Sequence, residues 1–243
     1  MYYQQYFQAL TNTLDTIFSQ EAPRIEAAGA ILAETLKKDG LLYVFGSGHS
    51  HMLAEELFYR AGGLAPVYPI FDTAAMLHEG AAKSSGLERM TGYARHLMAR
   101  YPIGPGDCFL IVSNSGINPM PMEMAEEAKK RGAAVIGISS LIYRNNPSRH
   151  PEGKHLPDFC DICLDNHVPI GDATVPVCSD GTKAGPVSSA AAIALAHAIV
   201  LHACELLNRD GIDPKVFRSS NTPGADGYNA ALIRDFSPRI RNL

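Results

Sequence analysis

The chain has 243 residues, a formal net charge of −4 and 46% hydrophobic residues. This is the composition of an ordinary globular protein that can bury a sizeable core. The long basic runs of nucleic-acid binders are missing, and the first residues lack the basic and apolar regions of a signal peptide. We therefore expect a cytoplasmic protein with neither a nucleic-acid nor a membrane partner.

The first 40 residues are typical of two helices. Apolar residues recur with helical spacing over residues 4–38, and Pro23 interrupts the pattern between the two runs. Gly40 is a typical stop signal after the second run. The sequence therefore predicts a pair of N-terminal helices that precede the rest of the fold.

The central region alternates between buried strands and helices. Continuous apolar runs, which suit strands buried on both faces of a parallel sheet, occur at residues 41–45, 67–70, 108–112, 134–138 and 162–164. Helical patterns lie between them at about 50–60, 93–100 and 121–131. Residues 72–92 and 144–158 are polar and favour loops, the former with short helices.

A long apolar helix and a loop-rich tail are predicted for the last 60 or so residues of the chain. Residues 183–209 are predicted to begin as a loop and become a long apolar helix. This helix contains His197, His202 and Glu205, which indicates a buried helix of a soluble protein rather than a membrane span. Residues 210–243 carry several prolines and glycines and are expected to be rich in loops.

Alternating strand–turn–helix units indicate an α/β fold. We expect a doubly wound three-layer sandwich with a mainly parallel five-stranded sheet and added N-terminal helices. One domain would cover residues 1–243, with its core at about 33–209. Ligands of such folds bind at the carboxyl ends of the strands, where the strand order reverses.

Five cysteines, an odd number, are expected to be reduced thiols. Cys160 and Cys163 have the spacing of a metal or redox pair. Their surroundings, however, are typical of a strand, and no second pair of ligands accompanies them. We therefore expect a structural role for both residues and no metal site.

Two serine-bearing loops follow two of the predicted strands. In Gly46-Ser47-Gly48-His49-Ser50 the glycines permit a tight turn. In Ser113-Asn114-Ser115-Gly116, which also precedes a predicted helix, Gly116 permits the turn and the serines supply hydroxyls. Hydroxyls and free amides at a helix start suit an anion such as phosphate. We predict a phosphate site at Ser47, Gly48, Ser50, Ser113, Asn114, Ser115 and Asn118.

The usual nucleotide-binding motifs are missing. A dinucleotide fold needs a third glycine at position 51, which is His51 here. A Gly-Lys-Ser/Thr phosphate loop is also absent. The motifs therefore disfavour NAD and ATP, and they require no metal or organic cofactor.

These two loops resemble those of the sugar isomerase (SIS) domain proteins, which share Gly-x-Gly-x-Ser and Ser-x-Ser-Gly loops after two strands. The resemblance covers roughly residues 33–209 and maps Ser47, Ser50, Ser113 and Ser115 onto the phosphate-binding serines of that family. It implies a phosphosugar ligand and a homodimer or homotetramer, in which the N-terminal helices help dimerisation. The tail 221–227 resembles that of a bacterial subgroup of stand-alone members.

Two groups within that family suggest different catalytic residues. Phosphoheptose isomerases carry Ala-Glu-Glu-Leu after the first loop, similar to residues 54–57 here, and two histidines five apart on the last helix. That similarity implies Glu56 and His202 as a catalytic pair, although the motif lies four residues closer to the loop than in those enzymes. Such a pair would suit aldose–ketose isomerisation.

N-acetylmuramic acid 6-phosphate etherases give the second comparison. Their catalytic glutamate lies on an acidic loop after the second strand, where this chain has Glu79 and Glu88. A Gly-Ser-Thr-rich segment before their last helix is similar to residues 179–185, in which Lys183 would neutralise a phosphate. This comparison implies elimination from an amino-sugar phosphate. A sensor without catalysis is the third possibility, and all of these side chains also have ordinary structural explanations.

Overall fold

A computed structural model describes residues 1–243. Its main sheet has five parallel strands in the order β2-β1-β3-β4-β5, and the predicted parallel α/β sandwich is confirmed. The strands are β1 (Leu42–Gly46), β2 (Val67–Pro69), β3 (Cys108–Val112), β4 (Ala134–Ser139) and β5 (Ile162–Asp165).

Eight α-helices surround the sheet. They are α1 (Tyr2–Gln20), α2 (Ala22–Lys37), α3 (Met52–Leu57), α4 (Ala81–Glu88), α5 (Tyr93–Met98), α6 (Pro119–Lys130), α7 (Ser188–Arg209) and α8 (Ala225–Phe236). The predicted pair of N-terminal helices is present. The break between them lies at Glu21, and Pro23 occupies the first turn of α2, where a missing N–H costs nothing.

Each strand alternates its side chains between two cores. Leu42 and Val44 of β1 lie in the core shared with α2, α3 and α7. Tyr43 and Phe45 point to the opposite core, which is shared with α5, α6 and α8. This period of two explains why the strand is an uninterrupted apolar run. Each large side chain buried in this way contributes about 1.5–3 kcal/mol.

Helix α7 is the one helix whose length and apolar composition would suffice to cross a membrane. In the fold it packs against α1, α2 and α3, and its small and branched side chains fill the core beside β1 and β3. Its apolar character is therefore used in helix and sheet packing, as predicted.

Regular structure forms in two places where the sequence did not predict it. An antiparallel hairpin of β6 (Ala173–Pro176) and β7 (Lys183–Pro186) precedes α7. In the tail, α8 begins after Gly224 in the left-handed region, with φ 76°, and buries Leu232 and Phe236. Both segments depend on partners distant in sequence, which local patterns do not reveal.

The Cys160 and Cys163 thiols have no disulfide. Both sulfur atoms lie over Gly137 of β4, where an added Cβ would be 2.6 Å from Cys160 Sγ and 3.0 Å from Cys163 Sγ. The two side chains thus fill space beside a glycine in the sheet, which supports the expected structural role.

Buried Glu21 joins the N-terminal helices to the end of the sheet. Its carboxylate accepts a hydrogen bond from the Asp165 amide at 3.1 Å and contacts His167 Nε2 at 3.2 Å and Arg24 Nη1 at 2.8 Å. A buried carboxylate is tolerated only with such partners. The contact fixes α1 and α2 relative to β5.

Close packing of α2 on α7 leads to a stability prediction. A methyl group at Gly29 would lie 2.7 Å from His202 Cδ2 and 2.9 Å from its Cβ. We expect Gly29→Ala to lower the free energy of unfolding by about 1 kcal/mol, because overpacking of about 1–3 kcal/mol exceeds the gain in helix propensity of about 1 kcal/mol. Urea unfolding measures this change.

Gly227→Ala is the matched control. Gly227 lies in α8, and nothing within 4 Å would meet its added methyl group. We expect that variant to be as stable as the parent or up to about 1 kcal/mol more stable. Stabilisation of both variants alike would contradict the tight α2–α7 contact.

Candidate functional site

The strand order reverses between β1 and β3. From β1 the chain proceeds to β2 on one side, and later returns to β3 on the other. Gly46 pairs with Val112 in the parallel ladder, so the segments that leave these two strands start side by side. The two serine loops therefore meet at the position where open α/β sheets bind ligands.

A cleft of about 450 Å³ lies over this switch point. Every residue predicted to bind phosphate lines it except Lys183. Residues that sequence analysis missed also line the cleft, because their position depends on tertiary packing. They are His49, Leu77, Ala81, Ser84, Ser85, Asp172 and Ser188.

The first loop turns sharply because of its glycines. A Cβ at Gly46 would lie 2.3 Å from the Ser50 carbonyl oxygen, so only glycine fits. Gly48 has φ 55°, and its N–H donates to the Ala75 carbonyl at 2.9 Å. That amide is thus taken by the protein, and the predicted contribution of Gly48 is limited to the shape of the turn. Ser47 and Ser50 of this loop both line the cleft.

The second loop also needs its glycine. Gly116 has φ 59°, and an added Cβ would lie 2.7 Å from Ser139 Oγ. The Gly116 N–H donates to Ser113 Oγ at 3.2 Å, so this serine supports the turn as well as lining the cleft. The amides of Asn114 and Ser115 donate to no backbone carbonyl, which leaves two donors for an anion.

The helix after the second loop contributes little to anion binding by itself. Pro119 and Pro121 occupy the first turn of α6, and proline has no N–H. The donors at this side of the cleft are therefore the loop amides and hydroxyls rather than the helix N-terminus.

A buried asparagine orients the second loop. Asn166, fully buried after β5, donates from Nδ2 to Asn114 Oδ1 at 2.9 Å. Its own Oδ1 accepts from the Val168 amide at 3.1 Å. Because a buried amide must be paired, this contact holds the Asn114 side chain in place.

Glu88 is the one candidate acid/base residue that lines the cleft. It lies at the end of α4, and its Oε1 accepts a hydrogen bond from Asn118 Nδ2 at 2.7 Å. Asn118 Oδ1 in turn accepts from Arg149 Nη1 at 2.9 Å. Asn118 therefore acts as a link between the second loop and Glu88, besides its predicted place beside a phosphate.

Asp172 caps α7 at the cleft although it lies sixteen residues before Ser188, the first residue of that helix. Its Oδ1 accepts from the Val187 amide at 2.9 Å and the Ser188 amide at 2.8 Å, and its Oδ2 accepts from Ser188 Oγ at 2.6 Å. These contacts satisfy orphan donors at the helix start. Both carboxylate oxygens are thus engaged in structure.

Glu79 and Lys183 lie outside the cleft. Glu79 is exposed and contacts Thr73 and Lys83, and hydrogen bonds from both lower its pKa. Lys183 is exposed at the start of β7, in the hairpin rather than at the start of α7.

The expected pairing of Glu56 with His202 does not occur within one chain. His197 Nε2 donates to Glu56 Oε1 at 2.9 Å, whereas His202 packs over Gly29 and lies 3.6 Å from Glu205. Helix α7 starts at the cleft, so His202, fourteen residues beyond Ser188, is about 21 Å from it at about 1.5 Å per residue. The direction of α7 therefore separates His202 from the serine loops, and residue spacing in the sequence did not reveal that direction.

The chain matches the SIS domain model over residues 5–140. This match covers more than half of its length, and the chain therefore belongs to the SIS domain family. Its relatives include the UPF0309 protein of Listeria monocytogenes serotype 4b, 42% identical over 236 residues, 97% of this chain and 96% of that protein. The UPF0309 protein of Geobacillus kaustophilus is 40% identical over 237 residues, 97% and 94% of the two chains.

Solved structures share the fold at low identity. The phosphoheptose isomerase of Neisseria gonorrhoeae superposes with a TM-score of 0.53 and 17% identity, over 81% of this chain and 94% of that one. A phosphoheptose isomerase from Francisella tularensis gives 0.52 and 18%, over 85% and 96%. The architecture is common to these proteins.

The contact of His197 with Glu56 leads to a titration prediction. Burial lowers the pKa of His197, and the nearby Arg60 guanidinium, which also pairs with Glu56, lowers it further. We expect Arg60→Gln to raise the pKa of His197 toward its ordinary value, because a neighbouring positive charge is removed. NMR titration of the imidazole resonances measures the shift.

Arg209→Gln on the same helix is the control, since Arg209 pairs with Glu205 instead. That variant should leave the pKa of His197 unchanged. An identical midpoint in both variants and the parent would contradict the assigned effect of Arg60.

Proposed function

We propose that the cleft binds a phosphorylated sugar or amino sugar and that the chain isomerises it between aldose and ketose forms. The observation that carries the proposal is the convergence of Ser47, Ser50, Ser113 and Ser115 on one cleft. These are the positions that the family resemblance assigns to phosphate. The known phosphoheptose isomerases with this fold support a sugar phosphate as the ligand class.

Hydroxyls and amides suit a phosphate at this place. Ser47, Ser50 and Ser115 line the cleft, and the amides of Asn114 and Ser115 have no backbone acceptor. Hydrogen bonds to a charged group contribute about 1.5–3 kcal/mol each. A few of them hold a dianion without a lysine, which agrees with the distant position of Lys183.

Glu88 is our choice for the proton-transfer residue. Isomerisation requires a base that removes the proton from the carbon beside the carbonyl and returns it to the neighbouring carbon. Glu88 lines the cleft and accepts a hydrogen bond from Asn118. Glu56, Glu79 and His202 do not line it, so catalysis by these residues would need a second copy of the chain or a rearrangement.

Elimination of a substituent is the second candidate reaction. Glu88 follows β2, as the catalytic glutamate does in the etherases that the sequence resembles. A carboxylate beside an acidic carbon would begin either reaction with the same step. The two reactions differ in whether the proton returns to carbon or a substituent leaves.

The assembly and cellular location stay predictions. Tyr2, Tyr3, Phe7 and Phe18 of α1 are exposed, which supports the expected role of the N-terminal helices in a homodimer or homotetramer. A cytoplasmic location is expected from the sequence alone.

Binding is tested first. We expect Ser47→Ala with Ser115→Ala to weaken binding of sugar 6-phosphates by about tenfold or more for each lost hydrogen bond, since about 1.4 kcal/mol corresponds to a factor of ten. Isothermal titration against a panel of sugar and amino-sugar 6-phosphates measures the affinities. The unphosphorylated sugars of the same panel show whether the phosphate is what the loops hold.

Ser19→Ala is the matched serine control, because Ser19 lies exposed on α1 away from the cleft. It should bind like the parent. Unchanged affinity in the double variant would refute the phosphate site.

Turnover is tested separately with the same panel in deuterated water, followed by NMR. We expect Glu88→Gln to lower the turnover rate at least about 100-fold, which is the usual contribution of general acid–base catalysis. Phosphosugar binding should persist in this variant. Deuterium on carbon in an isomerised product indicates isomerisation, and a released substituent indicates elimination.

Glu56→Gln is the comparison variant. Loss of turnover in Glu56→Gln with full activity in Glu88→Gln would refute Glu88 as the proton-transfer residue. Binding without turnover of any panel member by the parent chain would favour the sensor instead.

A further inference from the structure

His51, Glu55 and His78 form a cluster beside the first serine loop. One ligand atom of each side chain lies within 4.8 Å of the others. His51 and Glu55 come from consecutive turns of the 3-10 and α-helical segment after the loop, and His78 comes from the loop after β2. We propose that this cluster binds a divalent metal ion of the zinc type.

The tautomer of His51 favours metal binding. His51 is buried, and its Nδ1–H donates to the Gly48 carbonyl. Since a carbonyl only accepts, the proton is on Nδ1 and the lone pair of Nε2 is free. A histidine that donates its second ring N–H to a backbone carbonyl is the usual arrangement of a metal ligand.

The distances within the cluster suit a metal better than a direct hydrogen bond. His51 Nε2 lies 3.4 Å from Glu55 Oε1, longer than the 2.7–3.2 Å of an N–H···O bond. Two ligands of a tetrahedral ion with bonds of about 2.1 Å are about 3.4 Å apart. The His51 and His78 rings lie edge to face with centroids 5.3 Å apart. Since the ligand atoms of all three side chains lie within 4.8 Å of one another, the His78 ligand atom would move closer to the other two when a metal binds.

The chemistry of the donors selects the ion. Two imidazoles and one carboxylate form a set that zinc uses with three protein ligands and one open position. Magnesium and calcium prefer oxygen ligands alone. The Gly48 N–H bond to the Ala75 carbonyl holds the loops that carry His51 and His78 together, which would fix the site in advance.

The cluster lies at the edge of the cleft. Gly48, which accepts from His51, and Leu77, which precedes His78, both line the cleft. The metal would therefore stand beside the proposed sugar site. Metal binding does not rest on the proposed function, because it is measured without any sugar.

The test uses the full chain after removal of metals by a chelator. We expect isothermal titration with Zn²⁺ to give one equivalent bound per chain, and titration with Co²⁺ to give the visible absorption of a four-coordinate site. His78→Ala and Glu55→Gln should each weaken Zn²⁺ binding by at least tenfold and abolish the Co²⁺ absorption. Both side chains are exposed, so these changes should leave the melting temperature of the metal-free chain unaltered.

Two controls separate this site from chance binding to surface side chains. His96→Ala and Glu26→Gln change exposed residues of the same types elsewhere and should bind Zn²⁺ like the parent. The absence of stoichiometric Zn²⁺ binding would overturn the proposal. So would equal affinity in the His78→Ala and Glu55→Gln variants and the parent, since binding would then come from other residues.

Discussion

The parallel pairing of β1 with β3 is the constraint on which the rest of the structure depends. These strands are neighbours in the sheet although β2 and the helices α3, α4 and α5 lie between them in sequence. Their pairing brings two short loops, far apart in the chain, to one edge of the sheet. It also leaves a gap between the two loops, because the chain proceeds from β1 toward β2 on one side and from β3 toward β4 on the other. The cleft exists because the strand order reverses at this point.

Contacts within the fold then decide which polar groups remain for a ligand. The buried side chain of Asn166 holds Asn114, and the Ala75 carbonyl takes the Gly48 amide. Such groups could not stay unpaired in a low-dielectric interior. What is left at the cleft surface is a set of small hydroxyls, two loop amides and the carboxylate of Glu88, which is a combination suited to a polar anionic ligand.

The direction of α7 also decides which of its side chains lie at the cleft. Because α7 begins at the cleft and runs away from it, Ser188 at its start lines the cleft, whereas His197 and His202 lie farther along the helix, where it packs against α2 and α3. The packing against α3 explains why Glu56 meets His197. Glu56 and His202, which the sequence suggests as a catalytic pair, therefore contact other residues: Glu56 contacts His197, and His202 lies near Glu205. Glu88, by contrast, reaches the cleft because α4 packs beside the first loop. Ser84 of α4 donates to the Ala75 carbonyl, which also accepts from the Gly48 amide.

The sequence by itself determined the five buried strands, the N-terminal helix pair and the two serine loops, because each depends on local patterns. Apolar runs identify strands buried on both faces, and glycines mark turns that no other residue fits. Only the tertiary structure decided which acidic group lies at the cleft, that Asp172 caps a distant helix, and that α8 and the β6–β7 hairpin form. These outcomes depend on contacts between residues far apart in the chain, and such contacts leave no periodic signal in the sequence.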